Sequence, residues 1–304
     1  MTPIAPTLPF IGIVTVLFNS DDLLDDFFKS LASQTFKNFR LYVLDNSASD
    51  SGSEIARRLA LQHGIVAKVV FNNANLGVAK GNNQGIALAL ADGCSHVLLA
   101  NNDTEFGSQT LAELIGALDG KSELAATAKI MYHDAPETLW YGGGRITPWT
   151  LLTPHYGIDT IDRGQFDQQE HVGYAPTCFM LIDASVFSSV GMMDEQYFVY
   201  YDDTDFIWRM GRQGIRIRFV ASAVVLHKVS SSTGGGHSPF SVYYTNRNRV
   251  YFIRKNLQGL RRMVALGYFL LTRIPRLGTL APSLARRGWR GLADGFRMVP
   301  PPLR

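Results

Sequence analysis

Over its first 118 residues the chain switches repeatedly between short β-rich runs and helical apolar stripes. IGIVTVL (Ile11–Leu17) is followed by SDDLLDDFFKSLASQ, where Ser20 can cap a helix with Leu23, Leu24, Phe27, Phe28 and Leu31 on one face. RLYVLD (Arg40–Asp45), IVAKVVF (Ile65–Phe71) and HVLLAN (His96–Asn101) predict further strands. Helices fit Ser53–His63, Asn82–Ala91 and Ser108–Leu118. Alternation of this kind with short connections predicts an α/β fold, a Rossmann-like, mostly parallel sheet with helices on both faces. In such sheets ligands bind beyond the carboxyl ends of the strands.

Those ends carry FNSDD, DNSASDSG and NNDTEF. Any one of them suits a turn or a helix cap, but three on one rim point to a polar site. A nicotinamide-binding fold needs glycines after the first strand so that backbone N–H groups approach a pyrophosphate, and Asn19, Ser20, Asp21 and Asp22 stand there instead. An acidic rim repels phosphate unless a divalent cation lies between them, so the expected ligand is a metal-bridged nucleotide diphosphate.

Beyond Leu118 the pattern loosens. Residues 119–169, with the turn-rich YGGGRITPW and GIDTIDRGQFDQQEH, read as a mobile segment or insertion. APTCFMLIDASVF and DEQYFVYYDDTDFIWRM look ordered, IRIRFVASAVVLHK looks like one or two strands ending at His227, and SSSTGGGHSP looks like a flexible loop. From Tyr243 the pattern is helical and basic. Cys94 and Cys178 are too few for a disulfide framework or metal cluster and read as small core residues.

Four constellations could carry chemistry. In NNDTEF, alternate side chains at a strand exit point the same way, so Asn101 and Asp103 can face one ion. DEQYFVYYDDTDF (Asp194–Phe206) carries five acids with four aromatics between them. Asp202, Asp203 and Asp205 suit a helix start, yet the aromatics imply packing, and adjacent half-buried carboxylates raise each other's pKa towards that of a general base. His227 is either a structural strand-end histidine or a further contact for an ion beside Asp103. In NLGVAKGNNQG, Gly77, Gly81 and Gly85 are either packing glycines or room for a base or ribose beside Asn75, Asn82 and Asn83.

Taken in order, TVLFNSDDLL, YVLDNSASD, NLGVAKGNN, LLANNDTEF, DEQYFVYYDDTDFIWRM and VVLHK resemble family 2 glycosyltransferases over roughly residues 11–255. The likeness is greatest to bacterial rhamnosyltransferases, with some to galactofuranosyl transferases. The resemblance implies the GT-A fold, transfer of a sugar from a nucleotide diphosphate with inversion, and use of Mg²⁺ or Mn²⁺. It implies Asp103 as principal metal ligand, with Asn101 in place of the first acid of the Asp-x-Asp motif and Asn102 between them, and His227 as a second ligand. Asp203 matches the catalytic base. Thr15, Leu17 and Asn19 would border the nucleobase, Asp45 would hold base or ribose, and Asn75, Gly77 and Asn82 would complete the nucleotide site. Asp202, Trp208 and Arg209 are acceptor-side candidates. Residues 1–245 would form the transferase domain, with about 1–120 the nucleotide half and 121–245 the acceptor half, followed by a basic helical extension at 246–304.

That extension is visible in the charges. Of 29 basic and 26 acidic residues, twelve arginines and Lys255 lie from Arg247 onward against one acid, Asp294, leaving about −9 before and about +12 after. Arginines alternating with apolar clusters suit an interfacial helix on anionic lipid, a helix packed on the domain, or a self-association surface giving a homo-oligomer. No nucleic-acid module is evident, so nucleic acid is not an expected partner. MTPIAPTLPF lacks the positive start and apolar stretch of a secretory signal, and the longest apolar run, Met263–Leu271, falls short of the ~20 residues of a spanning helix. The expectation is a cytoplasmic protein, peripheral on the inner face of the cell membrane at most. The resemblance implies dTDP-rhamnose as donor and a hydroxyl of a glycan or lipid-linked glycan as acceptor, in cell-surface polysaccharide synthesis. The alternatives are a UDP-sugar donor such as UDP-galactofuranose, or a non-catalytic nucleotide-sugar-binding protein.

Overall fold

The computed structural model describes residues 8–118, 123–229 and 238–301. The predicted SSSTGGGHSP loop falls largely outside them. One sheet runs in the order β3 (Ala67–Phe71), β2 (Phe39–Asp45), β1 (Ile11–Leu17), β4 (His96–Ala100), β9 (Phe179–Asp183), β6 (Glu123–Tyr132), β10 (Arg216–His227), β5 (Thr104–Phe106). Pairing is parallel from β3 through β4 and between β6 and β10, and β9 lies antiparallel to both β4 and β6. All six parallel-running strands therefore open their carboxyl ends on one rim.

Both faces are covered because β1 alternates its side chains. Helix α3 (Val78–Ala91) lies on the face of Gly12, Val14 and Val16, where a Cβ on Gly85 would meet Val14 and Leu44. Helix α2 (Ser51–Gln62) lies on the other, with Gly52 against Leu17. Helix α1 (Leu24–Ser33) buries Leu24, Phe27, Phe28 and Leu31 as its stripe predicts. It starts after a 3-10 turn at Asp21–Leu23, and the Ser20 hydroxyl accepts from Asn102 Nδ2 at 2.6 Å instead of capping the helix. Cys94 and Cys178 are buried in the core.

The expected loose segment is a correction. Glu123–Tyr132 is an internal strand, paired with β9, β10 and the hairpin partner β7 (Ala135–Tyr141). Residues 142–169 are tied down: Leu139 N donates to Thr160 O at 2.8 Å, Tyr156 N to Gly143 O at 2.7 Å, and the buried Lys129 ammonium holds Asp162 and Asp167.

Helix α5 (Ala184–Val190) leads to α6 (Asp202–Arg212), and a two-residue strand, β8 (His171–Val172), edges β10. Helix α4 (Thr110–Gly116) buries Leu111 and Leu114. The C-terminal helices are α7 (Pro239–Asn256), α8 (Gly259–Gly278) and α9 (Pro282–Arg297), built round a second core of Tyr197, Val250, Tyr251, Phe252, Ile253 and Phe269. Helix α7 spans position 245 without a break and contributes Tyr251 and Phe252, both fully buried, to that core.

Candidate active site

At the carboxyl ends of β1, β2 and β3 the loops are stitched together. Asn46 donates to Gly77 O at 3.0 Å and accepts from Asn72, while Asn19 N donates to the Ser47 hydroxyl at 2.9 Å. Asp45 is fully buried and turned into its own loop, accepting from Ser47 N at 3.0 Å and the Ser53 hydroxyl at 2.8 Å. Thr15 and Leu17 are buried within the sheet, whereas Asn19, Asn75 and Asn101 are exposed on the rim. Asn82 is buried against Met193. The glycines of NLGVAKGNNQG resolve as close-contact positions. A Cβ on Gly77, where φ is +80°, would lie 2.5 Å from both the ring and the carbonyl oxygen of Phe198, and Gly81 faces Val16.

Asp103 leaves β4 and immediately precedes β5, whose first residue, Thr104, pairs with His227. That register places His227 Nε2 3.3 Å from Asp103 Oδ1, with both residues buried. Adjacent ligands on an octahedral ion with bonds of about 2.1 Å lie about 3 Å apart, so the pair fits one divalent cation. No cluster of three or more metal-ligating side chains is present among the described residues, so phosphate oxygens would have to complete the shell.

Asp203 stands at the second position of α6, half-buried, with Oδ2 accepting from Tyr174 OH at 2.8 Å and Oδ1 from Thr204 N at 2.6 Å and Thr204 Oγ1 at 3.1 Å. Those three bonds fill three of about four carboxylate acceptor sites, leaving one on Oδ2. Burial pushes the Asp203 carboxyl above the ordinary range, while the bonds from Tyr174 and Thr204 and the nearby His155 pull against it. Its neighbour Asp202, buried and beside the Asp203 charge, is pushed up to about 8.

Cys178 and a chain of aromatic contacts stand between Asp103 and Asp203. Cys178 O accepts from Asn101 N at 2.8 Å, and its thiol is pushed up by burial and then by the charges of both Asp103 and Asp203. An aromatic relay closes the other side. His227 and His155 each stand edge-on to Trp140 at 4.8 Å, His155 stacks on Tyr174 at 5.8 Å, and Tyr174 bonds Asp203. Trp208 and Arg209 are not brought to this rim. Trp208 packs on Phe252, and the Arg209 guanidinium bonds Asp205, Val190 O and Met192 O. Five and six residues beyond Asp203, they fall on other faces of the helix.

The chain matches the model of glycosyl transferase family 2 over residues 12–191. The chain belongs to that family. It is 26% identical over 247 residues to an N-acetylglucosaminyl-diphospho-decaprenol L-rhamnosyltransferase of Mycobacterium tuberculosis, covering 73% of this chain and 77% of that protein. It is also 26% identical over 303 residues to a galactofuranosyltransferase of the same organism, covering 94% and 92%. Its fold is the GT-A fold. A mannosyltransferase from Pyrobaculum calidifontis, solved with GDP-mannose and Mn²⁺, superposes with a TM-score of 0.60 over 95% of this chain and 87% of that one, at 12% identity.

Residues outside the sequence motifs, Asn248 and Arg247 among them, hold the candidate site's acid loop. Backbone at Phe198, Tyr200 and Tyr201 has φ of 66°, 62° and 67°, a region ordinary residues avoid. The buried Asn248 of α7 holds this acid loop, its Nδ2 lying 2.9, 2.6 and 2.9 Å from the carbonyl oxygens of Tyr197, Val199 and Tyr200. Arg247 donates to Gln196 O and Tyr197 O, both at 2.7 Å. Lys255 bridges Asp194 at 2.7 Å and the fully buried Asp205 at 2.8 Å. His155 and Tyr174 came from stretches with no motif, and Asn248 carried no signal because its partners are carbonyls.

Proposed function

We propose that this glycosyltransferase moves a sugar, with L-rhamnose from dTDP-rhamnose the best candidate, from a nucleotide diphosphate to a hydroxyl of a glycan or lipid-linked glycan, with inversion. What supports this reading is the 3.3 Å approach of His227 to Asp103 together with the chain of contacts from His227 through Trp140, His155 and Tyr174 to Asp203. Asp103 and His227 would hold Mg²⁺ or Mn²⁺, which when bound supplies positive charge to the leaving nucleotide diphosphate. Asn19, Asn75 and Asn101 offer exposed amides to the donor, in the half formed by residues 1–120.

The remaining lone pair of Asp203 Oδ2 takes the acceptor hydroxyl proton while that oxygen attacks the anomeric carbon. Tyr174 and Thr204 fix the carboxylate's orientation. One base and attack opposite the leaving group produce inversion without an enzyme nucleophile. Asp202, neutral near pH 7, removes a competing negative charge beside the base. A second donor, UDP-galactofuranose, is favoured by the likeness to a galactofuranosyltransferase across nearly the whole chain.

A thermal-shift panel of nucleotide sugars with Mn²⁺ tests the donor, because a ligand of the folded state raises the melting temperature with its affinity and concentration. Asp203→Asn should then lower turnover by ~10²–10⁴ with the donor-induced shift retained. Retained turnover in that variant would remove Asp203 from the role of base.

A further inference from the structure

The C-terminal helices present two faces that the fold leaves uncovered. On α8, Ala265, Phe269 and Leu277 point inward, while Leu260, Met263, Val264, Leu271 and Ile274 form a stripe along the opposite side. Leu260 is 66% exposed, Met263 70% and Leu271 78%, so this is not a half-packed face. At 3.6 residues per turn these five positions fall within one sector of the helix. On α9, Gly288, Gly291 and Gly295 press the helix against Leu277 and the α7 backbone. Its outward side carries Trp289 and Phe296, exposed and seven residues apart.

Charge decides what covers these faces. Arg286, Arg287, Arg290 and Arg297 are all exposed on α9, and Arg261 and Arg276 are exposed on the flanks of α8, Arg261 bonding Pro148 O. The single acid of the region, Asp294, already faces Arg290, Arg297 and the Tyr243 hydroxyl. A second copy of this chain would bring the same uncompensated positive charge to the contact and be repelled. An anionic bilayer complements both features, with headgroups for the arginines and the acyl boundary for the stripe. Tryptophan and phenylalanine beside arginine also suit that boundary. No described helix is long and apolar enough to cross a membrane, so the contact would be interfacial.

We propose that the exposed faces of α8 and α9 are a docking surface for an anionic lipid bilayer, with Leu260, Met263 and Leu271 inserted and the arginines on headgroups. The surface stands on exposure and charge and does not require the donor or acceptor assignment. The test is flotation of the full chain with vesicles of phosphatidylcholine, with and without 30% phosphatidylglycerol, at low and high salt. The expected result is co-flotation with the anionic vesicles alone, weakened by salt. Met263→Asp combined with Leu271→Asp should lower partitioning at least tenfold. Its melting temperature and its metal-dependent donor shift should stay at wild-type values, since both residues are exposed and lie outside the site. Three outcomes would overturn the proposal: wild-type protein left in solution with anionic vesicles, equal flotation of the variant, or a wild-type dimer in sedimentation that the variant abolishes. Failure of the donor panel with flotation intact would instead count against the proposed reaction alone.

Discussion

Asn248→Ala tests whether the strained acid loop is held in place from outside. Three ordinary residues there occupy left-handed backbone, each at a cost of about 1–2 kcal/mol, so the loop is poised to relax by several kcal/mol. The two amide hydrogens of Asn248 reach three carbonyl oxygens within 2.9 Å, so one hydrogen is shared. Removing them deletes about two hydrogen bonds of about 1 kcal/mol each and strands buried carbonyls at about 1–3 kcal/mol, partly offset by loop relaxation. The expected loss is about 2–4 kcal/mol in urea unfolding. Because Asp202 and Asp203 directly follow the loop, turnover should fall at least tenfold with a smaller change in donor KM. Asn248→Asp separates packing from hydrogen bonding, since its carboxylate would face three carbonyl oxygens. Its folded-state pKa would be raised, so its stability deficit should shrink at low pH and grow as pH rises. Asn248→Ala within about 0.5 kcal/mol of wild type, with normal turnover, would refute the reasoning.

Gly77→Ala should destabilise by about 2–4 kcal/mol, because the added methyl meets the Phe198 ring and carbonyl at a positive φ; urea midpoints measure it. Asp202 holds its proton in the folded state up to about pH 8 but ionises near pH 4 when unfolded. Stability should therefore fall between those pH values with a slope of about one proton shared with Asp203, and Asp202→Asn should flatten it in unfolding curves at pH 5–9. With the Asp203 carboxyl also raised, the acidic limb of the pH–rate profile should lie above the usual carboxylate range. Asp103→Ala or His227→Ala should abolish the Mn²⁺-dependent part of the donor-induced thermal shift and make it insensitive to EDTA.

The first 118 residues were legible because their signals are local. Strands β1 to β4 are short β-rich runs, and Phe27, Phe28 and Leu31 recur at helical spacing on α1. Strand β6 was not, because ELAATAKIMY is alanine-rich and carries a lysine at its centre. A buried Lys129 makes sense only with Asp162 and Asp167, more than thirty residues away. The site divides in the same way. Asp103 and Asp203 are marked by what stands beside them in sequence, whereas His155 and Tyr174 reach Asp203 only through a tertiary stack. Asp205 reads as a helix-start acid, yet it accepts from Lys255, Asn256, Arg209 and Tyr197.

That last network bears on where the catalytic unit ends. Asp194 and Asp205 flank the strained loop and share one ammonium, Lys255, placed by the last turn of α7. Although burial pulls the Asp194 carboxyl up, Lys255 brings it below the ordinary range, so it is charged and dependent on that partner. Breaking a buried pair by removing one member costs about 3–5 kcal/mol, far more than keeping it contributes. A chain ending at residue 245 would lose Lys255, Asn248 and Arg247 together, leaving Asp194 without its ammonium, Asp205 with Arg209 as its remaining cation, and the loop unsupported. The acids that read from sequence as the chemical centre thus depend for their geometry on a helix that read as the start of a separate basic tail.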